Sequence, residues 1–481
     1  MHRSVPTALI ACALISASAV NAASRDFTHA LRRSITIAGH ESERFRLKDR
    51  MAHYAVPGLS VAVIDKCRII EVRAFGNAAP GGEPVTRHTL FQAGSISKVV
   101  TAVAALKLVE QGRLSLDADI RARLTSWHLP ESPLLAGRSI TLRGLLGHTA
   151  GINQEGGIGY PRGSKLPTLR EILEGRPPAN TASIRVEHAP ETAWRYSGGG
   201  YYITQALMQD VTGEAYPALV SKLVFRPLGL KEGSFSHPLD QRHSLLAARA
   251  VGPDGSPLEG GWRENPELAA GGLWTTPHEL ARFVISIAHS VRGEAGGVLS
   301  AASARELMTR GLGNWGLGVD LGSPDQARHF GHTGHNVGFT SEFILYPDSC
   351  KGAVVMNNAD QGGWLNTEVL RAIGDTYGWP DRIPAPVQSA IPLTDAIAAR
   401  FVGTYQLRDF PSERFVISRR VGGLYWARHG HIGRDLIPAT EGKLFSPDSK
   451  LTLSDAARES RAETLTLSFG ARTNVAIRVA D

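Results

Sequence analysis

The chain has few cysteines, little net charge and, beyond its first residues, no long apolar run. Three cysteines in 481 residues exclude a disulfide-dense scaffold and a multi-cysteine zinc or iron–sulfur site. No run of five or more Lys/Arg occurs, and a net charge of +7 is a mild excess over this length, so nucleic acid is not a favoured partner. His278-Glu279 lacks the second histidine of a zinc-protease helix, and no G-x-S-x-G is built around a serine. Gly311–Gly316 matches G-x-G-x-x-G without a strand-to-helix unit around it, which argues against dinucleotide binding. His329, His332 and His335 recur every third residue, but a strand passing into a loop does not put three imidazoles on one face. Neither a metal nor an organic cofactor is expected.

What is present fits a globular, exported chain. Hydrophobic residues make up 42% and charged residues 20%, enough for a sizeable core, and the length suggests about three domain-sized units. His2 and Arg3 precede an apolar stretch from Val5 to Val20, and Val20-Asn21-Ala22 offers small residues for cleavage. The stretch is shorter than the about 18 apolar residues of a membrane span. Residues 1–22 therefore read as a secretory signal, placing the mature chain in the periplasm or outside the cell. Leu9-Ile10-Ala11-Cys12 is the alternative, a lipid anchor through Cys12. Signal removal leaves Cys67 and Cys350, each at a hairpin-like turn, either as separate thiols or as a pair.

Residues 59–65 and 69–76 read as two strands joined by a short turn. A helix is expected over 95–111, a short one over 141–147 started by Thr141, and others near 201–212, 215–226 and 277–290. The stretch 151–190, rich in Gly, Pro and Asn, reads as a long loop holding a short helix. Strands return at 327–332, 339–346 and 352–357, and a helix follows at 364–377. This order predicts an interrupted antiparallel sheet covered by helices. A Pro-rich connector over 380–395, with Pro380, Pro384, Pro386 and Pro392, separates residues 23–379 from about eight short β-like runs in 396–481. Those runs predict a small all-β barrel or sandwich.

Three pieces carry chemistry. Ser95-Ile96-Ser97-Lys98 opens the 95–111 helix, and positions i and i+3 share a face, so the Lys98 amine can reach the Ser95 hydroxyl. A serine needs a base, and a desolvated lysine falls far enough in pKa to serve. Tyr196-Ser197-Gly198-Gly199-Gly200-Tyr201 offers a tyrosine that could relay a proton, with glycines that let backbone approach a cleft. Gly331-His332-Thr333-Gly334-His335 ends a predicted strand whose edge could bind an extended acyl group, and the His335 N–H could join that of Ser95 as an oxyanion hole. His148 reads as a structural hydrogen-bonding residue. Trp262, Trp274 and Trp315 could line a cleft or pack the core.

Together, Ser95-Ile96-Ser97-Lys98, Tyr196-Ser197 and His332-Thr333-Gly334 resemble the motif set of the penicillin-recognising serine hydrolases. That family includes class C β-lactamases, D-alanyl-D-alanine carboxypeptidases, D-aminopeptidases and β-lactamase-like esterases. Leu145–Ile152 resembles its Leu-Leu-x-His-Thr-Ser-Gly block, and Ala269–Leu273 its Ala-Gly-Gly-Leu block. The resemblance spans about residues 45–378, and the C-terminal module resembles the lipocalin-like appendages of some members. It implies an α/β fold: an antiparallel sheet flanked by helices, with an inserted helical lobe and the site between. It implies Ser95 as nucleophile, Lys98 as base, Tyr196 as relay, and His332, Thr333, Gly334 and His335 as the oxyanion and substrate-binding strand. It also sets the turns of Cys67 and Cys350 side by side, which implies a disulfide.

Two departures bear on substrate. Gly198 stands where many members have asparagine, and His332 where β-lactamases and transpeptidases usually have lysine. A histidine with a pKa near 6.5 is mostly neutral at pH 7, so carboxylate recognition weakens. The expected activity is acyl-enzyme hydrolysis of esters or D-amino-acid-containing peptides. The alternatives are a β-lactamase or penicillin-binding carboxypeptidase, and a catalytically weak binder of peptidoglycan fragments or of a partner protein. Oligomeric state is left open.

Overall fold

The computed structural model describes residues 26–381, 385–449, 451–455, 461–469 and 472–479. The signal segment, Cys12 and Pro384 lie outside them. Among the described residues, the larger sheet has five antiparallel strands: β1 (Gly58–Asp65), β2 (Arg68–Gly76), β3 (Phe330–Asn336), β4 (Phe339–Tyr346) and β5 (Lys351–Asn357). Their spatial order is β2-β1-β5-β4-β3, which leaves β3 as an edge. β1 is buried on both faces. Leu59, Val61 and Val63 pack with α1 (Leu47–His53) and α6 (Gly363–Tyr377), while Ala62 and Ile64 join the larger core on the other face.

That larger core surrounds α2 (Ser97–Glu110), which is buried over eleven of its fourteen residues. A helix apolar on all sides must sit inside, and α2 does, between the sheet and the inserted lobe. The lobe contributes α3 (Leu142–Leu146) and α4 (Gly199–Thr212), and α5 (Pro277–Arg292) returns to cover the sheet. Thr141 caps α3 as expected, accepting a hydrogen bond from the Gly144 N–H.

Two expected boundaries change. Residues 94–96 form a tight 3₁₀ turn before α2 rather than part of a regular helix. The strand expected at 327–332 instead runs Phe330–Asn336, carrying the whole His332-Thr333-Gly334 motif. Two glycines and two histidines weaken its local β signal, and pairing with β4 from Phe330↔Leu345 to Asn336↔Phe339 overrides it.

The β1–β2 hairpin turns through Lys66 and Cys67, both at positive φ, as a two-residue turn of this hand requires. The turn before β5 lies beside it, and Cys67 and Cys350 form a disulfide with Cα atoms 5.0 Å apart. Closing 283 residues is worth about 5 kcal/mol in the chain-entropy account.

The C-terminal strands are β6 (Gly403–Leu407), β7 (Arg414–Arg420), β8 (Gly423–Arg428), β9 (Arg434–Thr440), β10 (Lys443–Phe445), β11 (Leu451–Ser454), β12 (Thr464–Phe469) and β13 (Arg472–Val479). They follow one another antiparallel, and β13 pairs with β6 to close a barrel. A short helix, Asp395–Phe401, capped by Thr394, packs Ile397, Ala398 and Phe401 into its core. The Pro-rich connector is partly paired: Val387–Gln388 runs parallel to Thr36–Ile37.

The barrel is held against the larger, sheet-and-helix domain by a buried polar network. Arg50 donates to Glu368 at 2.6 and 2.8 Å and to Asp448 at 2.6 Å, and Tyr54 donates to Glu368 at 2.8 Å. His53 bonds the other Asp448 oxygen at 2.8 Å. Arg434 lies over the Tyr54 ring and donates to Gln361.

Candidate active site

The 3₁₀ turn holds Ser95 half-exposed at the mouth of α2, while Lys98, one turn on, is 1% exposed. The Lys98 Nζ lies 3.1 Å from the Ser95 Oγ and donates to the Ala270 carbonyl at 2.8 Å. Among the described residues no carboxylate pairs with it. Burial alone therefore pushes Lys98 down from 10.5 to about 7. Ser97 faces away. Its hydroxyl donates to Gly94 O at 2.6 Å and accepts from the Leu273 N–H at 3.0 Å, which pins the turn to the Ala-Gly-Gly-Leu block.

Tyr196 covers the other side of the amine, with Nζ 5.1 Å from its ring centroid, and Tyr201 lies at 5.5 Å. Burial pushes the Tyr196 phenol up to about 12, and the interaction of its hydroxyl with Ser95 opposes that rise. At pH 7 the phenol is neutral, so Lys98 is the better-matched base and Tyr196 is suited to pass a proton on. His148 stacks on Tyr196 at 4.4 Å, and its Nδ1 accepts the Ser197 N–H at 3.0 Å. That bond fixes the neutral imidazole with hydrogen on Nε2, and burial holds its pKa far below 6.5. His148 is thus a positioning residue for the Tyr196-Ser197 turn.

On β3, His332 and Gly334 face α2, whereas Thr333 and His335 face the opposite side of the sheet. His332 and His335 therefore do not share a face. Gly334 is required by close approach, since a Cβ there would sit 1.9 Å from the Ala93 carbonyl oxygen. Likewise, a Cβ on Gly94 would sit 2.5 Å from the His335 nitrogen. Gly331 exchanges both backbone bonds with Asp320 on the side away from β4. Alternation then points the N–H of His335 to the same open edge, beside the Ser95 turn. This placement suits an oxyanion hole made with the Ser95 N–H.

His332 is 4% exposed and its Nδ1 donates to Thr333 O at 2.5 Å. Burial, then the charge of Lys98, pushes it down to about 3, so it stays neutral across the physiological range. Its Nε2 has no hydrogen-bond partner among the described residues, and its ring packs 5.3 Å from Trp315 and 6.4 Å from Tyr196. Trp315 thus borders the site, while Trp262 and Trp274 are core residues. The Gly198 departure has a steric cause: a Cβ there would lie 2.7 Å from Glu155 O, so an asparagine would displace the 154–156 loop.

Sequence reasoning missed several contributors. Ala270 supplies the carbonyl that holds Lys98. Trp194 packs against Trp315 and His148. Gln92 Oε1 accepts from Asn336 at 2.7 Å and Asn265 at 3.1 Å, tying β3 to the block before Ala269. The Ala-Gly-Gly-Leu resemblance was the available signal for the first, and of the three tryptophans read as cleft or core candidates Trp315 is the one placed against His332.

The β-lactamase family model matches residues 46–377, and the chain belongs to that family, whose members are serine hydrolases of the β-lactamase and penicillin-binding protein superfamily. The match ends before the barrel. Penicillin-binding protein 4 of Amycolatopsis lactamdurans is 27% identical over 389 residues, covering 76% of this chain and 97% of that protein. Esterase EstB of Burkholderia gladioli is 34% identical over 188 residues, covering 37% of this chain and 46% of the esterase. In fold, the octameric penicillin-binding protein homologue from Pyrococcus abyssi superposes with a TM-score of 0.57 at 20% identity, covering 89% of this chain and 98% of its own.

Proposed function

We propose that the protein is an exported serine hydrolase acting through an acyl-enzyme on neutral esters or small D-amino-acid-containing peptides. Ser95 attacks the carbonyl while Lys98 takes its proton. The oxyanion rests on the N–H groups of Ser95 and His335. Tyr196 passes the proton to the leaving group, and water then releases the acyl chain from Ser95. The observation that carries this reading is the buried Lys98 amine, near pKa 7 and 3.1 Å from the Ser95 hydroxyl.

The substrate preference follows from charge. A neutral His332 supplies no fixed cation for a substrate carboxylate, and Gly198 supplies no side-chain amide. Both favour neutral acyl donors over β-lactams, and the 34% stretch shared with an esterase supports this. The Cys67–Cys350 disulfide supports export, in line with the first 22 residues. Among the described residues no helix is long and apolar enough to cross a membrane.

Similarity to a penicillin-binding protein over 97% of its length supports a second reading, a β-lactam-acylated carboxypeptidase. A panel of short nitrophenyl esters, D-amino-acid amides and nitrocefin on wild type and Ser95→Ala separates the two. Ester or amide turnover that is lost in Ser95→Ala is the expected result. A preference for nitrocefin supports the second reading. Labelling of Ser95 without turnover of any of the three points to a binder.

A further inference from the structure

The far end of β3 carries the His335 N–H, and it is an edge. Asp320 bridges to Gly331, but among the described residues no backbone pairing continues on that side from His332 to Asn336. Only β4 pairs with this stretch. An oxyanion donor has to sit within a few tenths of an ångström of its working place, so a one-sided ladder needs further support.

Side chains supply it, one on each face of the sheet. On the α2 face, the Asn336 amide donates to Gln92 Oε1 at 2.7 Å and to Gly271 O at 3.0 Å. On the opposite face, His335 Nε2–H donates to Asp360 Oδ1 at 3.1 Å. The same oxygen accepts the Gly338 N–H, in the β3–β4 turn, at 3.1 Å. One carboxylate oxygen thus ties the strand end to its own turn. The Asp360 side chain is 9% exposed and that of His335 58%, so the aspartate is the fixed member of the pair.

Asp360 is itself held from two directions. Its N–H donates to Val251 O at 3.1 Å, which sets the backbone. Its Oδ2 accepts from the Gln361 amide at 3.2 Å. The same amide nitrogen donates to His431 Nδ1 at 3.1 Å, and the Gln361 oxygen accepts from Arg434 Nη2 at 2.8 Å. Arg434 opens β9 and His431 lies just before it, so both are barrel residues. They leave Gln361 one orientation: a flipped amide would set its nitrogen against the guanidinium and its oxygen against the Asp360 carboxylate. Burial alone would raise the Asp360 pKa, but the bonds from His335 and Gly338 hold it below the usual carboxylate range, so it is ionised at pH 7.

We propose that Asp360 is a positioning residue for the oxyanion hole. It holds the His335 end of β3 against the Ser95 turn, and the barrel fixes its orientation through Gln361. This rests on the function proposed above. The barrel then contributes to catalysis from behind the sheet, without lining the site.

The test separates rate from binding. Single-turnover hydrolysis of nitrophenyl acetate gives an acylation rate constant and a half-saturation constant. Inhibition by phenylboronic acid reads the oxyanion site without turnover, because a boronate on Ser95 puts an oxygen where the oxyanion forms. Asp360→Ala is expected to lower the acylation rate constant and the affinity for phenylboronic acid about tenfold each, with half-saturation within twofold of wild type. Asp360→Asn keeps an acceptor for His335 and Gly338 and is expected to stay within about threefold of wild type. His335→Ala keeps the backbone N–H and cuts the same bond from its exposed end. It is expected to lower the rate about fivefold, and adding it to Asp360→Ala is expected to cost less than about twofold more. Gln361→Ala cuts only the link to the barrel and is expected to lower the rate about threefold. Acylation within twofold of wild type in both Asp360→Ala and His335→Ala overturns the positioning role, and so does a loss confined to half-saturation. An unchanged rate in Gln361→Ala overturns the part given to the barrel. Wild type without any Ser95-dependent ester hydrolysis overturns the proposed function, and the positioning role with it.

Discussion

Lys98 and His332 flank one buried space, and neither carries a full charge at pH 7: burial holds Lys98 near 7, and burial with the Lys98 charge holds His332 near 3. Catalysis and substrate choice both follow from that pair. The amine is poised as a base, and the strand beside it lacks the cation that a carboxylate would seek.

The pH profile is the first consequence. Lys98 must be neutral to accept the Ser95 proton, so kcat/KM for a neutral ester rises with pH through a midpoint near 7. Tyr196, at about 12, and His332, at about 3, add no limb between pH 5 and 10. A stopped-flow profile of acylation checks this. A midpoint above 9 contradicts the assignment of Lys98.

Replacing His332 by lysine restores a cation on β3. His332→Lys is expected to lower KM for substrates with a free carboxylate by about tenfold relative to neutral esters, about 1.4 kcal/mol. Comparing nitrocefin with a nitrophenyl ester on both proteins reads the ratio directly.

Lys98 costs stability. Its folded pKa is depressed below the unfolded 10.5, so the unfolded chain binds the proton first as pH falls. Stability is lost as pH drops from about 10.5 to about 7 and levels off below that. Lys98→Met removes this penalty and is expected to stabilise by about 1–4 kcal/mol at pH 7 while abolishing turnover. Urea unfolding of both proteins at pH 7 and pH 10 checks the sign: the gap narrows at pH 10.

Asp448 locks the barrel. Burial alone would raise its pKa, but the His53 hydrogen bond and the Arg50 charge hold it well below the usual carboxylate range. Its contribution is present above the unfolded pKa of 3.8 and is lost only at strongly acid pH. Asp448→Ala takes one of the two carboxylates from Arg50, leaving it Glu368 and the Tyr54 hydroxyl, and is expected to cost about 3–5 kcal/mol. Hydrogen exchange read at Arg50 and Arg434 checks it, with protection expected to fall on both sides of the interface.

The reactive pair was legible because it is local: Ser95 and Lys98 lie one helical turn apart, so spacing alone places them. The sheet was legible from short apolar runs separated by turns, and the neutral character of His332 from its ordinary pKa. What was not legible depends on long-range contact. The Ala270 carbonyl lies 172 positions from Lys98, and His148 lies 49 from Ser197. The β3 boundary failed because Gly331 and Gly334 disguise a strand that β4 holds by pairing. The link from His335 through Asp360 and Gln361 to the barrel could not be read at all, since its bonds between segments join residues 25 to 73 positions apart.

The central claim is that Ser95 is acylated with Lys98 as its base. Intact-mass spectrometry after a fluorophosphonate pulse, with peptide mapping, tests it on wild type and Ser95→Ala. The account predicts one adduct per chain on the peptide containing Ser95, formed more slowly below pH 7, and none on Ser95→Ala. Equal labelling of both proteins, or an adduct on another serine, would contradict it.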